Sequence, residues 1–264
     1  MRADRRTFMK IAGLTVVGLS LRPTVDALAG GEQVESANQT APTGALTAKR
    51  WAMVVDETKC WKDSGCTDCI EACRKAHNIP TFDDPKSEIK WIWTEQFEEV
   101  FPEQAQRLVA TASLAGKPVT LLCNHCQNPP CVKVCPTQAT FQRADGIVMM
   151  DEHRCIGCRY CMVACPFGAR SFNFRDPRTG LDLSKANPDF PTRTRGVVEK
   201  CNFCVERLAK GQMPACVDAC EEKALVFGDV EDRNSEVRKL LEARLSLVRR
   251  PELGTEPQVY YIVS

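Results

Sequence analysis

The chain has 264 residues, 44% of them hydrophobic and 26% charged, with a formal net charge of +1 and sixteen cysteines. Near-neutral charge removes the electrostatic case for a nucleic-acid partner. An aliphatic content that is modest and repeatedly interrupted by cysteine loops implies that much of the interior is organised by something other than side chains.

The N-terminus reads Asp4-Arg5-Arg6-Thr7-Phe8-Met9-Lys10, then an apolar stretch Ile11 to Leu21 and the small-residue site Ala27-Leu28-Ala29. Paired arginines ahead of a short apolar region have the form of a twin-arginine signal peptide over residues 1–29, with cleavage expected after Ala29. That route carries proteins already folded and metallated, which suits a thiol-rich protein destined for an oxidising compartment. Export by the Tat route to the periplasm, or to the outer face of the cytoplasmic membrane, is the expectation. The apolar stretch is shorter than the roughly 20 residues needed to span a bilayer. Gly30 to Lys49 is rich in Ala, Thr, Gly, Gln and Asn and is expected to be a flexible tether.

Folding is expected to begin near Trp51. Short apolar runs predict strands at Trp51 to Asp56, Val119 to Cys123, Gly146 to Met150, Arg170 to Phe174, Ala224 to Gly228 and Val259 to Val263. Helical starts are expected at Ile70 to His77, Cys161 to Ala164, Val205 to Lys210 and Val217 to Lys223. Ser235 to Val248 carries Val237, Leu240, Leu241 and Leu245 at helical spacing, which predicts a helix covering the core. Asn78 to Lys117 and Arg175 to Arg195 have the character of insertions. The first holds Lys90-Trp91-Ile92-Trp93 and Phe97 to Phe101, an aromatic group suited either to packing over the core or to docking a partner.

The cysteines fall into four quartets with none left over. Cys60, Cys66, Cys69 and Cys73 form the first, Cys123, Cys126, Cys131 and Cys135 the second, Cys155, Cys158, Cys161 and Cys165 the third, and Cys201, Cys204, Cys216 and Cys220 the fourth. The third reads C-x2-C-x2-C-x3-C-P, the bacterial ferredoxin run for cubane clusters. The second is C-x2-C-x4-C-x3-C-P, with Pro129 and Pro130 in its longer gap. Two-residue gaps let one loop curl around a cluster and give it three thiolates. The fourth cysteine, three residues further on, cannot reach back and in two-cluster ferredoxins ligates the other cluster.

That reciprocity assigns Cys123, Cys126, Cys131 and Cys165 to one 4Fe-4S cluster, and Cys155, Cys158, Cys161 and Cys135 to its neighbour. Likewise Cys60, Cys66, Cys69 and Cys220 hold a third, and Cys201, Cys204, Cys216 and Cys73 a fourth. Paired C-x2-C elements also build tetrahedral zinc sites, but the recurring x3 step to a fourth cysteine argues for cubanes. The fold class expected is α+β: two ferredoxin-like modules, one inserted in the other, organised around iron-sulfur clusters and carrying long insertions. Residues 50–118 would open the outer module, 119–175 form the inner one, 176–230 link to and complete the outer one, and 231–264 add a helix and a strand.

Other chemistry is sparse. The histidines are His77, His125 and His153, and no C-x2-C-H is present, which excludes c-type haem attachment by motif. His125 is expected beside a ligand or exposed rather than as a ligand. Arg154, Arg159 and Lys200 flank cysteines, where positive charge raises cluster potentials, although solvated charge is the plainer role. No phosphate loop, nucleophile elbow or paired-carboxylate motif is visible. With every iron capped by cysteine the chain is expected to transfer electrons and not to be catalytic by itself.

Over nearly the whole mature chain the quartet order, the opening Trp51-Ala52-Met53-Val54-Val55-Asp56 and the close at Tyr260-Tyr261 resemble the electron-transfer subunits of molybdopterin oxidoreductases and NrfD-linked membrane complexes. Within that group, KCWKDSGCTDCIEACRKAHNIP around the first quartet, EIKWIW at Glu88 to Trp93, LCNHCQNPPCVKVC at Leu122 to Cys135 and DFPTRTRGVVEKCNFC at Asp189 to Cys204 resemble the DsrO subunits of DsrMKJOP complexes. The resemblance implies the partners: an NrfD-like, quinone-interacting integral membrane subunit (DsrP-like), a multihaem cytochrome c (DsrJ-like) and DsrM- and DsrK-like subunits, in dissimilatory sulfur metabolism. It also admits the alternative of an electron-transfer beta subunit of an exported molybdopterin oxidoreductase. In one respect the chain departs from the pattern: Arg74 and Glu221, not proline, follow the last cysteines of the first and fourth quartets.

Overall fold

The computed structural model describes residues 42–63, 65–103 and 114–264. The twin-arginine segment and the first part of the tether lie outside these residues. The rest of the tether is tied down: Leu46 N–H donates to Leu208 O at 2.9 Å, Lys49 N–H donates to Asp229 Oδ2 at 2.7 Å, and Leu46 and Ala48 pack on the core. Backbone partners, which a compositional reading cannot see, fix this stretch.

The chain is mixed α and β with small sheets. Strand β1 (Trp51–Asp56) leads into helix α1 (Glu57–Cys60), α2 (Asp68–Ala76), β2 (Ile92–Gln96), α3 (Phe97–Val100) and β3 (Pro118–Leu122). Then come α4 (Pro130–Lys133), β4 (Thr140–Gln142), β5 (Val148–Met150), α5 (Tyr160–Val163), β6 (Ser171–Phe172) and β7 (Val198–Glu199). The chain closes with α6 (Val205–Leu208), α7 (Ala215–Asp218), β8 (Leu225–Asp229), α8 (Glu236–Ala243) and β9 (Val259–Ile262). Among the described residues no helix is long and apolar enough to cross a membrane.

The three-stranded sheet has the order β8-β1-β9, with β1 antiparallel to β8 and parallel to β9. All six residues of β1 are buried, which in a period-2 strand requires both faces of the sheet to be covered. Met53 and Val55 join Phe227 and Tyr261 in the main core; Ala52 and Val54 turn to the other face, where Val226 and Ile262 meet Val237 of α8. Ser235 caps α8 by accepting the Arg238 N–H at 3.1 Å. The other sheets are two-stranded and antiparallel: β2-β3, β4-β5 and β6-β7.

The segment 78–117 is more than an insertion. Ile92 to Gln96 pairs residue by residue with Pro118 to Leu122, and Trp91, Trp93, Phe97 and Phe101 are all buried. The docking role considered for these aromatics is thereby excluded; they are core.

Candidate metal centres

Short helices position the thiols. In α2, Cys69 and Cys73 stand one turn apart and address different neighbours. Cys60, Cys69 and Cys220 lie within electrostatic reach of one another, with Cys66 next to Cys69. Cys73 instead lies with Cys201, Cys204 and Cys216, and all four of these are buried. Packing of α2 against α7 makes this crossing possible. In the middle of the chain Cys126 lies with Cys123, Cys131 and Cys165, and Cys161 lies with Cys155. Cys135 is half-buried and Cys158 exposed.

Adjacent groups also touch electrostatically: Cys69 with Cys73 and Cys216, Cys123 with Cys201, and Cys131 with Cys161. The groups therefore succeed one another in a line. The loop of the third quartet lies close against the segment before β7. Gly157, between Cys155 and Cys158, has φ +71 and a Cβ there would sit 2.5 Å from Gly196 O, so only glycine fits.

No cysteine forms a disulfide. Burial pushes Cys60, Cys69, Cys126 and Cys201 up to about 12, and neighbouring thiols add to the rise. Burial is opposed at Cys135 by the N–H groups of Thr140, Thr137 and Ala139 and by the Thr137 hydroxyl, which together hold that thiol below its usual value. Backbone N–H groups also point at sulfur from Phe203 to Cys201 (3.5 Å), Ala215 to Cys204 (3.4 Å) and Ala224 to Cys220 (3.2 Å). Thiols crowded in this way ionise only if a multivalent cation compensates them, and inward-pointing N–H groups suit cluster-bound thiolates. The donor set fits 4Fe-4S clusters.

The surroundings include groups that the motif analysis misplaced or missed. His125 is fully buried, stacked on Phe203 with ring centroids 3.7 Å apart, and its Nδ1 accepts the Val148 N–H at 3.1 Å. Burial, with Lys200 and Arg170 adding positive charge, lowers its pKa and keeps it neutral. Lys200 is buried too, its ammonium donating to the carbonyls of Val148 and Cys201, whereas Arg154 is exposed and pairs with Asp151. His77 Nε2 meets Glu206 Oε1 at 2.8 Å, and its Nδ1 lies 3.6 Å from Cys73 Sγ. Buried Arg170 and Glu57 carried no local signal.

Glu57 is fully buried one turn before Cys60, with Oε1 accepting the Thr120 N–H at 2.7 Å and Oε2 unpartnered among the described residues. Burial outweighs the Thr120 bond and, helped by Asp56, pushes its carboxyl to about 7. A carboxyl raised in the fold binds more protons there than in the unfolded state, so its contribution to stability falls as pH rises from about 4.5 to about 7. Glu57→Gln is therefore expected to gain up to about 3 kcal/mol over the parent at pH 8 and little at pH 4.5. Denaturant midpoints of the anaerobic holoprotein at the two pH values check this; a pH-independent difference contradicts it.

The 4Fe-4S dicluster domain model matches residues 117–179 and 187–230. The chain is 41% identical to an Hdr-like menaquinol oxidoreductase iron-sulfur subunit 1 of Archaeoglobus fulgidus, over 98% of this chain and 97% of that one. It is 35% identical to the iron-sulfur cluster-binding subunit of a menaquinone reductase of Nitratidesulfovibrio vulgaris over 81% and 88%. It is 36% identical to the arsenate respiratory reductase iron-sulfur subunit ArrB of a Shewanella species over 81% and 97%. The protein is thus a member of this family of 4Fe-4S iron-sulfur subunits, whose work is electron transfer.

Proposed function

We propose that the chain is a DsrO-type subunit holding four 4Fe-4S clusters, exported by the Tat route and working at the outer face of the membrane. It passes electrons between an NrfD-like, DsrP-like quinone subunit and a DsrJ-like multihaem cytochrome c, alongside DsrM- and DsrK-like subunits in sulfur metabolism. The ligand sets are the reciprocal ones given above. The observation that carries this reading is the linear succession of thiol groups, running from half-exposed Cys60 and exposed Cys66 through buried Cys201, Cys204 and Cys216 to exposed Cys158. Bound clusters supply one-electron oxidation and reduction.

An outer module split around an inner one is supported by the pairing of β1 with β8 and β9, which encloses 119–175 in sequence. A membrane partner is supported by the name of the Archaeoglobus relative and by apolar side chains left exposed around the third quartet, Ile156, Tyr160 and Val163. The arsenate respiratory reductase relative favours a second reading, the beta subunit of an exported molybdopterin enzyme. Anaerobic purification from the native membrane separates the two. A haem protein and a quinone-site membrane protein in the complex support the first, and a large molybdenum-containing polypeptide the second. Iron and sulfide below four cubanes per chain would overturn the cluster count.

A further inference from the structure

Arg170, immediately before β6, is 5% exposed, yet among the described residues no carboxylate lies within 4.0 Å of it. Its Nη1 donates to Thr140 Oγ1 at 3.1 Å and lies 3.8 Å from Met150 Sδ. Its Nη2 is buried and has no hydrogen-bond partner among the described residues. The sulfurs of Cys131, Cys161 and Cys123 lie within its electrostatic reach. Cys131 and Cys161 belong to different ligand sets in the reading above, so one guanidinium serves two centres. Two other arginines are as deeply buried: Arg193 has a carboxylate partner in Glu199 at 2.7 Å, and Arg249 donates to Phe167 O at 3.4 Å beside Cys165 alone among the cysteines.

A buried cation without a counter-ion is strongly unfavourable unless something anionic faces it. Thiolate-ligated clusters are anionic and would face Arg170, which has no carboxylate within 4.0 Å among the described residues. We propose that Arg170 is a redox-tuning residue shared by the two inner clusters, holding both at higher potential through its fixed charge and the free Nη2 donor. The physical reason is that reduction adds an electron to a centre beside a cation in a low-dielectric interior, where the attraction is poorly screened. Hydrogen bonds and charge at the sulfurs are established levers on such potentials. Thr140 aims the fork by holding Nη1. This proposal rests on the inner-cluster reading.

The test is a redox titration followed by paramagnetic resonance on the anaerobic full chain, comparing the parent with R170Q and R170K and with iron content as a control. In R170Q both inner couples are expected to fall by about tenfold in their reduction equilibrium, about 59 mV for a one-electron couple, while the outer couples stay. R170K keeps the charge but loses the planar fork and is expected to shift the same two couples by less. Full iron with unmoved inner couples, or a shift in only one of them, overturns the proposal. Should R170Q fail to assemble its clusters, R170K decides, and unchanged inner couples there overturn it equally. A parent protein lacking two inner-cluster signals would instead refute the underlying ligand assignment.

Discussion

Cys165→Ser is expected to silence the same cluster as Cys126→Ser and to leave the one silenced by Cys158→Ser. Sequence neighbourhood predicts the opposite, because Cys165 belongs to the run that contains Cys158. The structure places Cys165 at the end of α5, in reach of Cys123 and Cys131, and burial pushes its thiol up with Cys123 adding to the rise. A serine oxygen is a harder ligand than thiolate and a poor match for cluster iron. The lost iron therefore belongs to the second quartet's loop. Spectra of the anaerobic variants, with iron lost by one cubane in each, check the pairing. A Cys165→Ser spectrum matching that of Cys158→Ser sinks it. Loss of that inner centre also breaks the line between Cys201 and Cys161, so electron passage along the chain should stop, whereas loss at Cys66, at one end, should leave the remaining centres connected.

Much of this was legible because cluster ligation is local: gaps of two and three residues write each loop's geometry into the sequence, and strand β1 was readable from Trp51 to Asp56 as it stands. Strand β2 escaped because only Ile92 and Trp93 are buried in it, while Thr94, Glu95 and Gln96 are exposed or half-buried. Strands β4 and β7, at three and two residues, are too short for alternation to register, whereas β6 falls within the strand expected at Arg170 to Phe174. Helix α4 was missed since Pro129 and Pro130 reads as a loop, although Pro130 serves as its first residue. Burial of charge was the least legible feature. Glu57 depends on Thr120 and Arg170 on sulfurs 9 to 47 residues away, and a charged residue's local context gives no hint of such partners.

Glu199→Gln is expected to cost about 3–5 kcal/mol, the usual consequence of leaving one member of a buried ion pair alone. Glu199 accepts from Trp91 Nε1 at 2.9 Å and from Asn173 Nδ2 at 2.6 Å, and pairs with Arg193 at 2.7 Å, with the two charged side chains 0% and 3% exposed. Arg193 in turn donates to the carbonyls of His77 and Asn78 and lies over the rings of Trp91 and Phe190 at 5.6 Å. The network thus ties α2, the Trp91 segment and the residues before β7 to the strand that delivers Lys200 and Cys201. A near-isosteric amide keeps the shape and one acceptor but removes the charge, so the buried guanidinium is left uncompensated. Arg238 and Glu242 make the matching control: their separation is also 2.7 Å, but they are 42% and 58% exposed on α8. Water and salt already screen that pair, and Glu242→Gln should change stability by no more than about 0.5 kcal/mol. Denaturation of the anaerobic holoproteins, followed by cluster absorbance, measures both. Equal effects would mean that distance and not burial sets the strength of these pairs. A large loss for Glu199→Gln alone, with faster cluster bleaching in air, would place this network among the contacts that keep Cys73 and its neighbours dry.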